Sequence, residues 1–489
     1  MSGNRKKNWS VAAAVALAAS TALALVPSAS AASPAAPAPQ APAAGAAALE
    51  GVWQGVGYQR YVAVHRGVLR SYEYSAAGCL PGRWQLSAGR AGGGAVTGVP
   101  FRDADSVRQL SMRATPDGRG ARLTPAGSVG EQRLRRVAEL PADCTRKPSG
   151  DPVHTFDTFW STLRENYPFL RAKGIDWDAA RERYRPQVHP GTTDDELFRI
   201  LSAMIEPLHD MHTQLADGTG KRRTLNLRPG TPFPTEKYLA DVEAATRAQL
   251  PEKVHSFANG KIQYADLKQG TGPGQHLGYL RITGFIAFAD GDRLDADADA
   301  AALDRALDAV LTEQRTRSLR GLVVDLRFNG GGADALGTRI AARLTDRTYT
   351  AYTKSARNDP QRPDSWTPGQ PIRVHPAPGP RYTGPLAVLT GPLTISAGES
   401  FTQSLMGRSP APVRIGESTQ GVFSDTMDRV LPNGWTLTVP NEKYADARGR
   451  TYDGTGIPPT HRVPVYAPAD LAALRDPALT RAVRELGAR

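Results

Sequence analysis

The chain has 489 residues, a formal net charge of +12 from 60 Lys and Arg against 48 Asp and Glu, and two cysteines. That length allows two or three domains and at least one large core. The basic excess is mostly Arg and is spread along the chain without an Arg-rich arm or nucleic-acid motif, so it reads as solvated surface and argues against a nucleic-acid partner.

Taken from the N terminus, a basic start (Arg5, Lys6, Lys7) leads into an apolar Ala/Leu/Val run from Val11 to Val26 and a small-residue end at Ala29, Ser30 and Ala31. The pattern predicts a secretory signal peptide over 1–31 and hence a secreted, extracellular product. A membrane anchor is the weaker reading, because the run is short, interrupted by Ser and Thr, and followed by Pro-rich coil. Cleavage after Ala31 removes three basic and no acidic residues, leaving +9. Residues 32–48, almost all Ala, Pro, Ser and Gly, predict a linker.

Residues 49–147 read as short strands and turns, with period-two alternation and frequent Gly, which predicts a small β-rich domain, a sandwich or barrel. In an exported chain Cys79 and Cys144 are expected to form one disulfide within it. Its role is open between lid, substrate-recruiting module and structural support. Over 148–275 the period changes to about 3.6: Phe156, Phe159, Trp160 and Leu163 share one helix face, and the helical register ends at Leu208, His209, Asp210, Met211, His212 and Thr213. The span 215–275 is polar and interrupted by Gly and Pro. From 276 to 470 apolar runs alternate with helices, predicting an α/β domain with a buried sheet. Asn433 and Gly434 signal a two-residue hairpin turn, and 471–489 reads as a C-terminal helix. No later segment approaches the length of a membrane span.

Two turns carry candidate chemistry. Strand GLVVDLRF runs into Asn329 and the glycines 330–332, where consecutive amides without Cβ obstruction can form an anion nest. A phosphate, an oxyanion or nothing but a tight turn fits that pattern, and the absence of a following Lys-Ser/Thr or of GxGxxG weakens the nucleotide reading. The second turn, PLTISAGES, sets Ser396 between a strand and a helix, where it is either a helix cap or a nucleophile with the Ala397 amide beside it. His209 and His212 have the spacing of metal ligands on one helix face, but no further His or Cys cluster completes a site. No metal or cofactor is expected.

The strings DLRFNGGG, ISAGES and YDGTGIPP, in this order and spacing, resemble the S41 serine peptidases over roughly residues 150–465. The resemblance implies a ClpP/crotonase-like core, Ser396 as nucleophile, and an oxyanion hole from Ala397 and Gly331. In the processing-peptidase branch the base is a Lys, but here that position is Val422. The tricorn-like branch takes its base from a His in a D-G-H-T string, which LHDMHT resembles. His212 is then the base and Asp453 its carboxylate partner, with Met211 standing where the branch has a Ser and Asp453 where it has Glu. His209 is a competing base. A PDZ-like segment, found in many processing peptidases, would have to lie in 215–275. The function implied is a secreted serine peptidase acting on peptides or proteins through an acyl-enzyme. The rivals are a non-catalytic ligand-binding protein on the same scaffold, as among the retinoid-binding relatives, and a crotonase-like acyl-transfer enzyme, which export away from coenzyme A disfavours. Oligomeric state is not legible.

Overall fold

The structure, a computed structural model, describes residues 45–89, 98–103, 109–268, 276–291 and 294–487. The predicted signal peptide and residues 32–44 of the linker lie outside these. No helix among the described residues is long and apolar enough to cross a membrane.

The N-terminal β-rich region is a closed eight-stranded barrel. Its strands are β1 (Gly51–Gly55), β2 (Arg60–His65), β3 (Val68–Ser75), β4 (Gly78–Ala88), β5 (Val99–Arg102), β6 (Gln109–Ala114), β7 (Gly120–Pro125) and β8 (Gln132–Val137), with β8 pairing back onto β1. Alternation fills it: Trp53, Val62, Val64, Leu69, Phe101, Met112 and Leu123 point inward and are almost fully buried. Closure removes the exposed sheet edges that so short a set of strands would otherwise present. Ala46, within the predicted linker, belongs to this core. Ala46 and Leu49 are buried in it, and the Leu49 carbonyl accepts from Trp53 Nε1 at 2.8 Å. A disulfide joins Cys79 on β4 to Cys144, in the turn that leaves the barrel.

The helical segment consists of α1 (Pro152–Asn166), α2 (Trp177–Tyr184) and α3 (Asp194–Ile205). Its starts follow local chemistry: Asp151 accepts the His154 amide at 2.9 Å, and Thr193 and Glu196 form a capping box. The apolar faces of α1 and α3 meet in one core, to which Leu431, Trp435, Leu437 and Val439 contribute from a later hairpin. After α3 come β9 (Gln214–Ala216), α4 (Glu236–Ala248), β10 (His255–Phe257) and β11 (Ile262–Lys268). The span 215–275 thus forms no separate module among the described residues, because β10 and β11 become the outer strands of the main sheet.

That sheet continues through β12 (His276–Ile282), α5 (Ala296–Val310), α6 (Glu313–Ser318), β13 (Leu319–Asp325), β14 (Phe328–Asn329), α7 (Asp334–Ala342), β15 (Tyr349–Ala356), β16 (Gln370–Val374), β17 (Leu386–Thr390), β18 (Leu393–Thr394), α8 (Ala397–Met406) and β19 (Val413–Gly416). The chain ends with β20 (Thr426–Val430), β21 (Thr436–Pro440), β22 (Glu442–Ala445), β23 (His461–Arg462), α9 (Pro468–Ala472) and α10 (Pro477–Gly487). Seven strands pair in the order β10-β11-β12-β13-β17-β19-β23, parallel from β12 onward. The runs LGYLRI and GLVVD are buried on both sides: α5, α7 and α8 cover one face, and α10 the other with Ala478, Leu479, Ala482 and Leu486. Beyond β13, Arg327 is locked between Asp325 and Asp476 at 2.6 Å to each, with all three side chains almost completely buried. This fixes the strand end from which the glycine turn leaves. The β20–β21 hairpin closes through residues 431–435 rather than a two-residue turn, because its last pair is Val430 with Thr436. Asn433 and Gly434 sit inside the longer loop, where Gly434 has φ +86°.

The disulfide spans 65 residues, so on the loop-entropy relation the Cys79→Ser/Cys144→Ser variant should lose about 4 kcal/mol of barrel stability. A lowered urea midpoint, matched by reduction of the parent, checks this.

Candidate active site

The glycine turn and the serine turn are held face to face by a two-stranded parallel ladder, β14 with β18. The Asn329 carbonyl accepts the Ile395 amide at 2.9 Å, and Thr394 Oγ1 donates to the Leu326 carbonyl at 2.7 Å. The contact is so close that a Cβ on Gly331 would lie 2.7 Å from Ser396 Cβ, and one on Gly332 would lie 2.3 Å from the Phe285 carbonyl oxygen. Both have positive φ, +87° and +129°. Glycine is therefore required there by close approach as well as by conformation.

Ser396 sits at φ +55°, ψ −119°, a costly backbone state for a residue with a side chain. The turn is held by Glu399. This fully buried carboxylate accepts the Ser396 amide (3.2 Å), the Thr419 hydroxyl (2.6 Å), the Gly421 amide (2.6 Å) and the Val422 amide (2.8 Å). Burial pushes its pKa up to about 7 against those four donors. Reciprocal contacts between Ser396 and Glu399 have the form of a capping box, so the serine both starts α8 and lines the cavity in front of it.

His212 faces the same cavity. Its position follows from the LHDMHT string: Asp210 Oδ1 accepts the His212 amide at 2.9 Å and Asp210 Oδ2 accepts the Tyr167 hydroxyl at 2.8 Å, while the His212 carbonyl accepts from Thr438 Oγ1 at 3.0 Å. The residue is 2% exposed, and its Nδ1 has no hydrogen-bond partner. Burial draws its pKa below the usual imidazole value, opposed by the charges of Asp210 and Asp425. His209, the competing candidate, is exposed on the left-handed residue that ends the preceding turn (φ +45°) and does not line the cavity. Among the described residues no group of His, Cys, Asp or Glu is arranged to hold a metal ion.

The structure departs from expectation at two residues. The Gly331 amide donates to Asn329 Oδ1 at 3.0 Å and so is already occupied. Phe285 brackets Gly332, its amide donating to the Gly331 carbonyl (2.7 Å) and its carbonyl accepting the Ala333 amide (2.8 Å), which leaves the Gly332 amide on the cavity side. Asp453 makes no hydrogen bond to the His212 ring. It accepts from Thr451 Oγ1 and from the Phe423 amide (3.3 Å), and burial with the nearby charge of Asp210 pushes its pKa up to about 8.

Of the aspartates that line the cavity with His212, the one whose charge acts on the imidazole is Asp425. β9 and β20 flank β21 in one sheet, with Gln214 and Asp428 both opposite Thr438, so the residues just before β9 and β20 stand at one sheet end. Asp425 meets Lys354 Nζ at 2.9 Å and accepts from Ser128 of the barrel. Burial would raise its pKa, but Lys354, the Ser128 hydroxyl and His212 together hold it below the usual carboxylate range. Lys354 reaches on to Glu442 (3.2 Å), which accepts from Tyr58 of the barrel (2.7 Å). Sequence reading missed Asp425, Lys354 and Glu399. Only Glu399, inside ISAGES, carried a local signal.

Residues 276–463 match the model of peptidase family S41, and residues 151–206 match that of the tricorn protease C1 domain. The chain carries an S41 peptidase domain and is a serine peptidase. A putative peptidase from Parabacteroides merdae shares the fold at 23% identity and TM-score 0.56, the match covering 69% of this chain and 96% of that one. Mature CPAF, solved with lactacystin, matches at 11% identity and TM-score 0.50, over 69% of this chain and 97% of its own. No curated protein matches the chain. The S41 model takes in both turns, Asp425 and Asp453, but neither His212 nor the barrel.

Replacing Glu399 by Ala strands three buried amides and a hydroxyl, each worth about 1–3 kcal/mol when unpaired. Glu399→Ala should therefore cost more than about 3 kcal/mol, read as a fall in the thermal midpoint.

Proposed function

We propose that the protein is exported and hydrolyses peptide bonds through an acyl-enzyme on Ser396, with His212 as general base, on a ClpP/crotonase-like core. The observation that carries this is the shared cavity: a strained serine at a helix start, Gly332 and a buried histidine all border one space, and the Ala397 amide follows the serine at the start of α8. His212 takes the Ser396 proton as Oγ attacks the carbonyl carbon. The oxyanion is met by the Ala397 and Gly332 amides. His212 then gives the proton to the leaving amine as the C–N bond breaks, and water repeats the sequence to release the acid. Asp425 and Asp210 supply the negative charge that favours the imidazolium, in place of Asp453. The signal-like N terminus and the disulfide support export. A purely binding role on this scaffold would leave the strained serine and the buried histidine without a purpose.

Protein recovered from the culture medium should begin at Ala32 and be labelled at Ser396 by a fluorophosphonate probe. Ser396→Ala should lose labelling and at least about 10⁴-fold in kcat against peptides. Equal peptide turnover by parent and variant would refute the nucleophile assignment.

Because His212 works as the neutral imidazole and burial lowers its pKa, kcat/KM should rise with pH along an acid limb centred below about 6.5. Removing a nearby negative charge stabilises the neutral form further. Asp425→Asn should thus move the limb to lower pH and reduce kcat, whereas Asp453→Asn should leave the limb in place. The reverse pattern would return the orienting role to Asp453.

A further inference from the structure

The barrel lies outside both matched family regions, yet it borders the catalytic cavity. That cavity, about 320 Å³, is lined on one side by Ser396, His212 and Gly332 and on the other by Tyr58, Arg60 and Trp84 of the barrel. The barrel is fixed in this position by side chains that cross the junction. Tyr58 bonds to Glu442, Arg429 pairs with Glu73, Arg83 Nη1 donates to Thr436 Oγ1 at 2.9 Å, and Lys354 Nζ donates to the Val129 carbonyl at 3.1 Å. All four contacts would have to break together for the barrel to move away from the cavity. The barrel is a fixed wall rather than a lid.

The chemistry of the wall is set by which of its groups remain uncommitted. Asp299 accepts three main-chain amides, from Ala287, Phe288 and Ala289, and Asp295 accepts the Asp297 and Ala298 amides that start α5. Asp425 is held by Lys354 and Ser128, and Asp428 places its charge beside Arg60. Arg60 is bonded to Glu73 at 2.9 Å and lies 3.9 Å over the Trp84 ring. A charged substrate side chain would meet counter-charges already engaged. The large partly exposed apolar side chains in the lining are Trp84, Ile286 and Leu294, two of them on the core side, beyond β12 and before α5. Alongside runs β20, at the edge of its three-stranded sheet among the described strands, where unpaired main-chain groups suit an extended peptide.

Resting on the peptidase reading above, we propose that the barrel is the specificity wall of the active site: Trp84, with Ile286 and Leu294, forms a subsite for a large apolar side chain of the extended peptide whose scissile carbonyl lies at Ser396. The test uses the full-length mature protein and paired fluorogenic peptides that differ at one position flanking the scissile bond, Leu or Phe against Ser. The parent should prefer the apolar member, and in Trp84→Ala the ratio of kcat/KM between the members should fall at least about tenfold. Leu294→Ala, outside the barrel, should lower the same ratio and carries the test if the Trp84 variant does not fold, as judged by its thermal midpoint. A parent that cleaves both peptides equally, or folded variants that keep the full preference, would overturn the wall. Failure of the parent to label at Ser396 with a small fluorophosphonate would instead overturn the peptidase assignment itself.

Discussion

One buried carboxylate organises the catalytic half of this molecule. Glu399 accepts the amide of the strained Ser396, and on its other side the Thr419 hydroxyl and the amides of Gly421 and Val422. Thr419 Oγ1 in turn accepts the Ile457 amide at 2.7 Å, and the Gly421 carbonyl accepts the Gly454 amide at 2.7 Å. Three stretches far apart in sequence, ISAGES, GESTQGV and YDGTGIPP, thus converge on one side chain. A positive φ at a serine persists only where its surroundings over-determine it, and Glu399, together with the β14–β18 ladder, provides that determination. The glycine turn completes the arrangement because only hydrogen at position 331 lets it approach the serine turn, and only hydrogen at position 332 lets it pass the Phe285 backbone.

The second constraint is electrostatic. His212 is buried deeply enough that charging it is disfavoured, yet two carboxylates stand close enough to act on it. Neither dominates: Asp210 spends both oxygens on Tyr167 and the His212 main chain, while Asp425 shares its charge with Lys354. In the proposed role, a histidine with that balance is neutral at rest and has counter-charges in place when it takes a proton, which is the condition a general base must meet.

Much of this was legible in the sequence, and the failures have physical reasons. Both turns of the candidate site announced themselves through local chemistry, a run of glycines after a buried strand and a serine before an apolar helix. Strand alternation foretold a barrel or sandwich, and the register of Phe156, Phe159 and Leu163 foretold the helix face that is buried. What depended on which partner takes a given amide was not legible. Gly331 and Gly332 differ only in that Asn329 Oδ1 reaches back to the first. Asp453 and Asp425 are both acids after the serine, and only the third dimension shows that one sits on Thr451 and the other in the cavity with His212. Lys354 joins the site from a strand with no motif at all.

The barrel binds these strands of argument together. Ser128 donates to Asp425, and Tyr58 holds Glu442, the second partner of Lys354, so the wall that borders the cavity also fixes the acid beside the base. Coulomb interactions weaken steeply when water enters, and a histidine left open to solvent would lose both its depressed pKa and the full effect of Asp425. By covering that side of the cavity the barrel keeps the dielectric low around His212. On the proposed reading, substrate contact and tuning of the base are therefore consequences of the same packed surface.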